Sequence, residues 1–436
     1  MKIIRSSYKD PSSNVFADED GKRIFRTLSL SPENYNELNL FPKVLNHIEN
    51  NIYEIEKIDF INFYYEWTFG QFKDSALFYL DILKELHQKK WALSDATPLN
   101  VTYKGNGSFI FYDHGSLKKS ESGAWTAYLQ FIREYMYPLI YLSNHSLDIP
   151  QLLLPFINNK HWQLQYKPEW NKRLSFKYQL LRSALLISTK KSLKDIPQSN
   201  EAKSNKGFLY NIEFFNDYIQ SLHRKNELSR WGNYYSETVL EGEYVSQKTD
   251  TIIQYISQIK HVINTIVDFG ASNGKLTSAL AKSFNNISFI AIESDPIASA
   301  ELYQCSKTNP IVPIYSNLLQ LTPELGFNGS IDSLKSRISK ISDLNLALGI
   351  IHHMMHEENL SFDHIIQYFH SLSKENAYLI IEYIGTEDPR YQLIRNVNYP
   401  YPEDIESFEE SLKTLYNIGE KRKIHNDRYL FLAKKK

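Results

Sequence analysis

The sequence predicts an α/β chain, with a C-terminal open, doubly wound (Rossmann-like) sheet preceded by a smaller α+β domain. Three segments carry that expectation. Residues 265–280, TIVDFGASNGKLTSAL, read as strand, tight loop and helix. Ile266 and Val267 are apolar and β-branched, as a buried parallel strand requires, and the run breaks after Asp268 into a turn holding Gly270 and Gly274. Leu276, Ala279 and Leu280 then recur at the spacing of a helix that packs back on the sheet. Residues 289–293, FIAIE, form a second buried strand that ends in an acid, and residues 343–353, DLNLALGIIHH, form a third with polar groups at its end. Ligands of open α/β sheets bind beyond the carboxyl ends of the strands, where glycines let the backbone approach and a helix N-terminus offers N–H groups.

The acid that closes the second strand indicates the ligand. From that position the Glu293 carboxylate can accept hydrogen bonds from both hydroxyls of a ribose, so a nucleoside is expected. The spacing Asp268-x-Gly270-x-x-x-Gly274 differs from the dinucleotide fingerprint and resembles motif I of the class I S-adenosylmethionine (SAM) methyltransferases. Ser272 stands where that family usually has another glycine. The third segment resembles the methyltransferase strand that faces the reactive methyl group. The resemblance implies SAM as cofactor, held by Asp268, Gly270, Ser272, Gly274, Glu293 and Asp295, with Asn317 near the adenine. Many relatives have an acid at that last position, and the Asn carbonyl can serve the adenine amino group instead.

Transfer of a methyl group from a sulfonium is an in-line displacement that gains mainly from alignment, up to about 7–11 kcal/mol in good cases. His352 and His353 close the third segment as catalytic candidates, and neighbours in a strand point to opposite faces, so at most one of them is expected to face the methyl group. His353 is preferred, as a base or as an orienting group. His352, His353, His356 and Glu357 look like a metal set, but a strand-to-helix turn separates their directions, and no metal is expected in this domain.

The chain has 436 residues, room for two or three domains, and 42% hydrophobic with 23% charged residues is the balance of a core-forming soluble protein. A net charge of -1 speaks against a general nucleic-acid or membrane-surface partner. The single cysteine, Cys305, excludes an internal disulfide framework and fits a reducing compartment. The first ten residues lack the apolar core of a signal peptide, residues 135–142 are too short to span a bilayer, and a cytoplasmic location is expected. The 30 tyrosines and 24 phenylalanines are assigned to core and groove lining, since no internal repeat accompanies them.

Residues 1–60 alternate short apolar runs with turns, including a hairpin expected across Asp20 and Gly21, and so predict a small β-rich lobe. An aromatic stretch follows at 60–67, and then a helix in which Phe69, Phe72, Ala76, Leu80 and Leu83 share one face. The next segment, WALSDATPLNV at 91–101, leads through a turn to the strand SFIFYDHG at 108–115. A hairpin there gathers Asp95, Asn100 and Asp113 at one end of a groove. This arrangement resembles the catalytic and metal-binding loops of the protein-kinase and aminoglycoside-phosphotransferase fold. The resemblance implies a kinase-like domain with Asp95 as base, Asn100 and Asp113 as Mg²⁺ ligands, weak Mg²⁺-dependent ATP binding, and a hinge at residues 65–67. Leu93-Ser94 replaces the usual His-Arg before the base, and Arg23 or Arg26 stands in for the missing phosphate-binding lysine.

Residues 125–193 read as helices that complete the first domain, 195–207 as a polar linker, 208–223 as an amphipathic connecting helix and 248–260 as a lead-in helix to the second domain. Strands are expected at 377–383 and 427–433, a helix within 400–416, and a solvated tail at 434–436. The expected division is 1–194, 195–230 and 231–436. Taken together the segments resemble a bacterial family of SAM-dependent methyltransferases labelled nodulation-protein-like, a likeness covering most of the chain. It implies this architecture and SAM use without settling the substrate, and the expected function is methyl transfer to a small-molecule, glycan or related metabolite acceptor. The alternatives are a bifunctional protein whose first domain transfers phosphate, and a SAM- or nucleotide-binding scaffold without catalysis. Neither the acceptor atom nor the oligomeric state is legible in the sequence.

Overall fold

A computed structural model of the chain describes residues 2–5, 14–19, 21–120, 125–144, 205–224 and 243–436. Two compact units divide it: Met1–Tyr103 with Ser108–Glu227, and Lys104–Gly107 with Leu228–Lys436. The part of the helices expected at 125–193 that follows residue 144, and most of the expected linker, lie outside the described residues.

The first unit opens with a five-stranded antiparallel sheet in the order β1-β2-β3-β5-β4, made of Lys2–Arg5, Val15–Ala17, Ile24–Thr27, Val44–Glu49 and Ile52–Ile55. This is the β-rich lobe expected, with β2 and β3 paired as the hairpin predicts. Helix α1, Phe69–Gln88, begins where the Thr68 hydroxyl accepts the Gln71 N–H, a cap that satisfies one of the free donors of the first turn. Phe72, Ala76, Tyr79, Leu80 and Leu83 are buried on its inner face, as their spacing requires. Helix α2, Asn205–Ser221, packs on α1: His87 stacks on Phe208 at 4.1 Å, and Lys73 donates to the carbonyls of Gln220 and Leu222. The expected connecting helix is thus part of the first unit. Short strands β6 to β9, Trp91–Leu93, Val101–Gly105, Ser108–Phe111 and Leu117–Lys119, pair β6 with β9 and β7 with β8, and set the loops that carry Asp95, Asn100 and Asp113.

In the second unit seven strands lie in the order β12-β11-β10-β13-β14-β16-β15. They are β10 Thr265–Phe269, β11 Ser288–Glu293, β12 Ile311–Tyr315, β13 Leu344–Ala347, β14 Tyr378–Ile384, β15 Tyr416–His425 and β16 Arg428–Lys435. The first five are parallel and β16 is inserted antiparallel between β14 and β15. The chain winds outward from β10 through β11 to β12, then crosses back to start β13 on the other side of β10. That reversal opens a crevice at the carboxyl ends of β10 and β13. Helices α3, Glu243–Ile259, and α4, Lys275–Ser283, cover one face through Tyr255, Ile256 and Leu280, against Ile266, Leu346 and Ile380 of the sheet. On the other face Phe269 meets Phe369 of Phe362–Ser371 edge to face.

Two segments differ from the sequence expectation. The strand expected to run to His353 stops at Ala347; Gly349 turns the chain at φ +67°, and α6, Ile351–Glu358, takes over, with α5 being Pro296–Ser306. Ile351, Met354 and Met355 are buried at helical spacing, which outweighs the β-branched run that precedes them. Residues 434–436 are no solvated tail, because Lys434 and Lys435 extend β16 and the buried Lys435 ammonium donates to the Ser373 carbonyl at 3.0 Å. Strand β15 escapes the sequence reading because its Glu420-Lys-Arg-Lys423 run has no apolar alternation, and at a sheet edge it needs none. Among the described residues no helix is long and apolar enough to cross a membrane.

Candidate functional site

A cavity of about 790 Å³ opens in the second unit at the crevice between β10 and β13, within the range of roughly 300–1,000 Å³ usual for small-molecule sites. Gly270 and Ser272 of the β10–α4 loop, Glu293 at the end of β11, Asn317 after β12 and His353 of α6 all line it.

Each loop residue has a physical reason to be what it is. Gly270 sits at φ +73°, and a Cβ there would lie 2.4 Å from Ile350 Cγ2, so the loop closes only without a side chain. Gly274, outside the cavity wall, lets α4 approach α5: a Cβ would lie 2.5 Å from Leu302 Cδ1. Ser272 adopts φ +50°, a left-handed conformation that costs a non-glycine residue about 1–2 kcal/mol, which accounts for glycine being usual at this place in the motif. Its N–H is spent on Glu293, reaching Oε2 at 2.7 Å.

Glu293 is held by three backbone donors, from Ser272, Ser294 and Asp295, at 2.7, 2.7 and 2.8 Å. Burial raises its pKa, and these three N–H groups pull it back without cancelling the rise. A carboxylate has about four lone-pair sites, so this arrangement leaves one, on Oε2, for a ligand hydroxyl. The sequence expectation of a grip on both ribose hydroxyls is therefore reduced to one. Asp268 lies beneath the loop, 3% exposed, accepting from the Thr277 hydroxyl at 2.6 Å. Burial pushes its carboxyl up to about 6, against the opposing pull of Thr277 and Lys248.

Asp295, expected at the cofactor, and His352, expected as a catalytic candidate, have structural partners. Asp295 caps α5, accepting from the Ile297 and Ala298 N–H groups at 2.9 Å each, and it does not line the cavity. His352 is 3% exposed, and burial holds its pKa well below the ordinary value, so it is a neutral core histidine. His353 follows it on α6, where successive residues diverge by about 100° rather than 180°, and faces the cavity with Nδ1 3.0 Å from Glu357 Oε1. Asn317 lines the cavity, while its carbonyl oxygen accepts the Leu319 N–H at 2.8 Å in a local turn.

Sequence reasoning missed the opposite wall. There Tyr244 and Lys248 of α3, one turn apart, meet Glu382 of β14, Asp388 and Arg428 of β16. Lys248 donates to Glu382 Oε2 at 2.6 Å, the Tyr244 hydroxyl donates to Oε1, and Arg428 donates to Tyr244 at 2.8 Å. Arg428 also grips Asp388 with two N–H groups at 2.6 and 3.0 Å. Tyr244, Lys248 and Arg428 line the cavity, whereas Glu382 and Asp388 stand behind them. Burial alone would raise both acids, yet Lys248 and Arg428 hold Glu382, and Arg428 holds Asp388, below the usual carboxylate range. The available signal was a lone acid in the otherwise buried strand YLIIEYI, since such an acid must find a partner.

In the first unit the structure brings Asp95, Asn100 and Asp113 together: Asn100 Nδ2 lies 3.2 Å from an oxygen of each acid. Arg26 reaches the same point. Asp113 Oδ1 accepts from Arg26 and from the Gly115 N–H, and Oδ2 from Asn100 and the Ser116 hydroxyl, which fills its four lone-pair sites. Arg26, expected as a substitute for a phosphate-binding lysine, instead occupies the charge that a Mg²⁺ would take, and Arg23 pairs with Glu54. These residues as arranged do not fit a bound Mg²⁺. Among the described residues no group of three His, Cys, Asp or Glu is placed to hold a metal.

No family model matches the chain. It is 23% identical over 421 residues to the nodulation protein NoeA of Rhizobium meliloti (strain 1021), covering 88% of this chain and 85% of that one. Among solved structures it is similar to an S-adenosylmethionine-dependent methyltransferase from Clostridium acetobutylicum, at 14% identity over 47% of this chain and 97% of that one, with a TM-score of 0.33. It is also similar to the 1,6-didemethyltoxoflavin-N1-methyltransferase of Burkholderia thailandensis, solved with S-adenosylhomocysteine, at 14% identity over 52% of this chain and 89% of that one, with a TM-score of 0.33.

Proposed function

We propose that the second unit is a SAM-dependent methyltransferase acting on a small-molecule, glycan or related metabolite acceptor. The observation that carries this reading is Glu293, a buried acid at the end of β11 with one lone-pair site left, beside the glycine loop that opens onto the reversal point of the sheet. SAM, when bound, supplies a methyl group already activated on a sulfonium. Gly270 admits it close to the backbone, Glu293 takes a ribose hydroxyl, and Asn317 lies at the adenine end. His353, oriented by Glu357, is placed to align an acceptor or take its proton.

The phosphotransferase alternative loses its metal site to Arg26, and kinase-like ancestry of the first unit rests on motif spacing alone. A SAM-binding scaffold without catalysis differs from the proposal only in turnover. Comparing methylated metabolites in cells with and without the protein separates the two.

Calorimetric titration of the full chain with SAM tests the binding directly. Glu293→Ala removes a charge-assisted bond worth about 1.5–3 kcal/mol and strands three backbone donors, so SAM should weaken at least about tenfold. Glu293→Gln should fall between the two. Equal affinity in a folded Glu293→Ala protein places the ribose elsewhere, and no SAM binding by the unaltered protein removes the reading.

A further inference from the structure

We propose that residues 389–403 form a strap over α6 that the neutral ring of His356 holds shut and that lifts when the ring takes a proton. The proposal goes beyond the SAM reading and holds whatever ligand the cavity takes. The segment leaves β14 at Asp388, which Arg428 anchors, and returns at Glu403, whose carbonyl accepts the Tyr383 hydroxyl at 2.6 Å. Between these ends Leu393 and Val397 are 84% and 91% exposed, so the outer side adds little hold. The inner side rests on α6 and the turn that follows it. The Tyr399 hydroxyl donates to the Leu360 carbonyl at 2.7 Å, and Asn396 donates to the Asn359 side chain at 3.1 Å. Tyr391 and Tyr399 each meet the His356 ring edge to face, with 4.8 Å between centroids. Arg390, at the start of the strap, lines the cavity together with His353 and Glu357 of α6.

His356 is the contact that acid can break. It is 5% exposed, and among the described residues neither of its ring nitrogens has a hydrogen-bond partner. A neutral imidazole leaves one N–H and one lone pair unmet there, whereas an imidazolium adds a second N–H and a buried charge, which costs more. Burial lowers the pKa of the ring first of all; Glu403 pulls it up, and Arg395 and His353 push it down. The last turn of α6 also favours a cation. Neither favourable influence supplies the missing partner, because the Glu403 oxygens already accept from Tyr391 at 2.8 Å and from Arg395 at 3.0 and 3.2 Å. His352, a turn earlier, is itself buried and neutral. The strap is therefore tightest above the ordinary histidine value of about 6.5, where the ring is neutral whether shut or lifted, and it loses hold as pH falls below that value. Glu403 stays ionised over that range: burial would raise its pKa, yet the bonds from Arg395 and Tyr391 hold it below the usual carboxylate value. His364, against Tyr401 at the far end, is exposed and can charge without moving the strap.

Hydrogen exchange of the full chain tests this at about pH 7.5 and about pH 5.5, read peptide by peptide as protection factors so that the intrinsic pH dependence drops out. Protection of 389–403 should fall by about fivefold or more in acid, while the peptides of β10, β11 and β14 keep theirs within about twofold. His356→Phe retains a ring for Tyr391 and Tyr399 but cannot titrate, so its strap should be equally protected at both pH values. His356→Leu serves if the Phe variant does not fold. Protection of 389–403 that does not change with pH overturns the proposal, as does an equal fall in the variant or a fall shared by the whole second unit. An NMR titration of the histidine ring protons in the unaltered protein needs no variant: an inflection for His356 below about 6.5 supports the strap, and one at or above that value overturns it.

Discussion

Replacing Arg428 by Met is expected to remove about 3–5 kcal/mol from the stability of the second unit, because it leaves the buried Asp388 without its cation and Glu382 with Lys248 alone. The side chain is 2% exposed and holds Asp388 by two hydrogen bonds, Tyr244 by a third, and Glu382 electrostatically at 3.6 Å. Against a usual domain stability of about 5–15 kcal/mol, such a loss is large. The pH dependence fixes the cause. Glu382 and Asp388 have lowered pKa values, burial being outweighed by the cations beside them, so the stability they contribute is present above the ordinary carboxylate range and lost as pH falls through their folded values. In Arg428→Met Asp388 loses that depression, and Glu382, still paired with Lys248, loses part of it. The deficit should therefore be greatest at neutral pH and shrink in acid, where both acids become neutral in either protein. Urea unfolding at about pH 7 and about pH 3 measures this. A deficit below about 1 kcal/mol, or one that grows in acid, rejects the role given to Arg428.

In the first unit the large effect is expected at Arg26. Its side chain is 8% exposed, pairs with Asp113 and donates to the Tyr112 carbonyl at 2.8 Å, tying β3 to the loop after β8. Arg26→Ala should cost about 3 kcal/mol, the low end for a broken buried pair since Asp113 keeps contact with water. The same variant tests the metal question. Millimolar Mg²⁺ with ATP should leave the melting temperature of the unaltered protein in place, because Asp113 has no lone pair to offer, whereas Arg26→Ala frees an oxygen and should become Mg²⁺-sensitive. A rise in the unaltered protein that disappears in Asp113→Ala would restore the sequence-based expectation of a Mg-ATP site.

How much of this was legible beforehand depends on the range of the interaction. The β10, β11 and β14 strands announce themselves because both their faces are buried and the apolar runs are continuous, and the β10 loop does so because glycine has few substitutes where a Cβ would strike Ile350. The place where a strand yields to a helix was less legible: the run before His352 satisfies either period, and only packing of Met354 and Met355 decides it. Asp295 misled because an acid beside a ligand loop and an acid capping a helix look alike in sequence; its two N–H partners distinguish them. The Tyr244, Lys248, Glu382 and Arg428 network was hidden because its members are up to 184 residues apart and belong to no local motif. Arg26 and Asp113, 87 residues apart, were hidden for the same reason.

The outer strand β15 has a colloidal consequence. An edge strand offers unpaired backbone groups to any other edge, and here Lys421, Arg422 and Lys423 are exposed along it. Two copies meeting edge to edge bring these like charges across from one another, which disfavours the pairing. That protection is electrostatic and therefore has a short reach in salt, about 10 Å at 0.1 M and about 3 Å at 1 M. Self-association of this protein should accordingly rise with ionic strength, opposite to the behaviour of an assembly held together by complementary charges, and light scattering across a salt series would follow it.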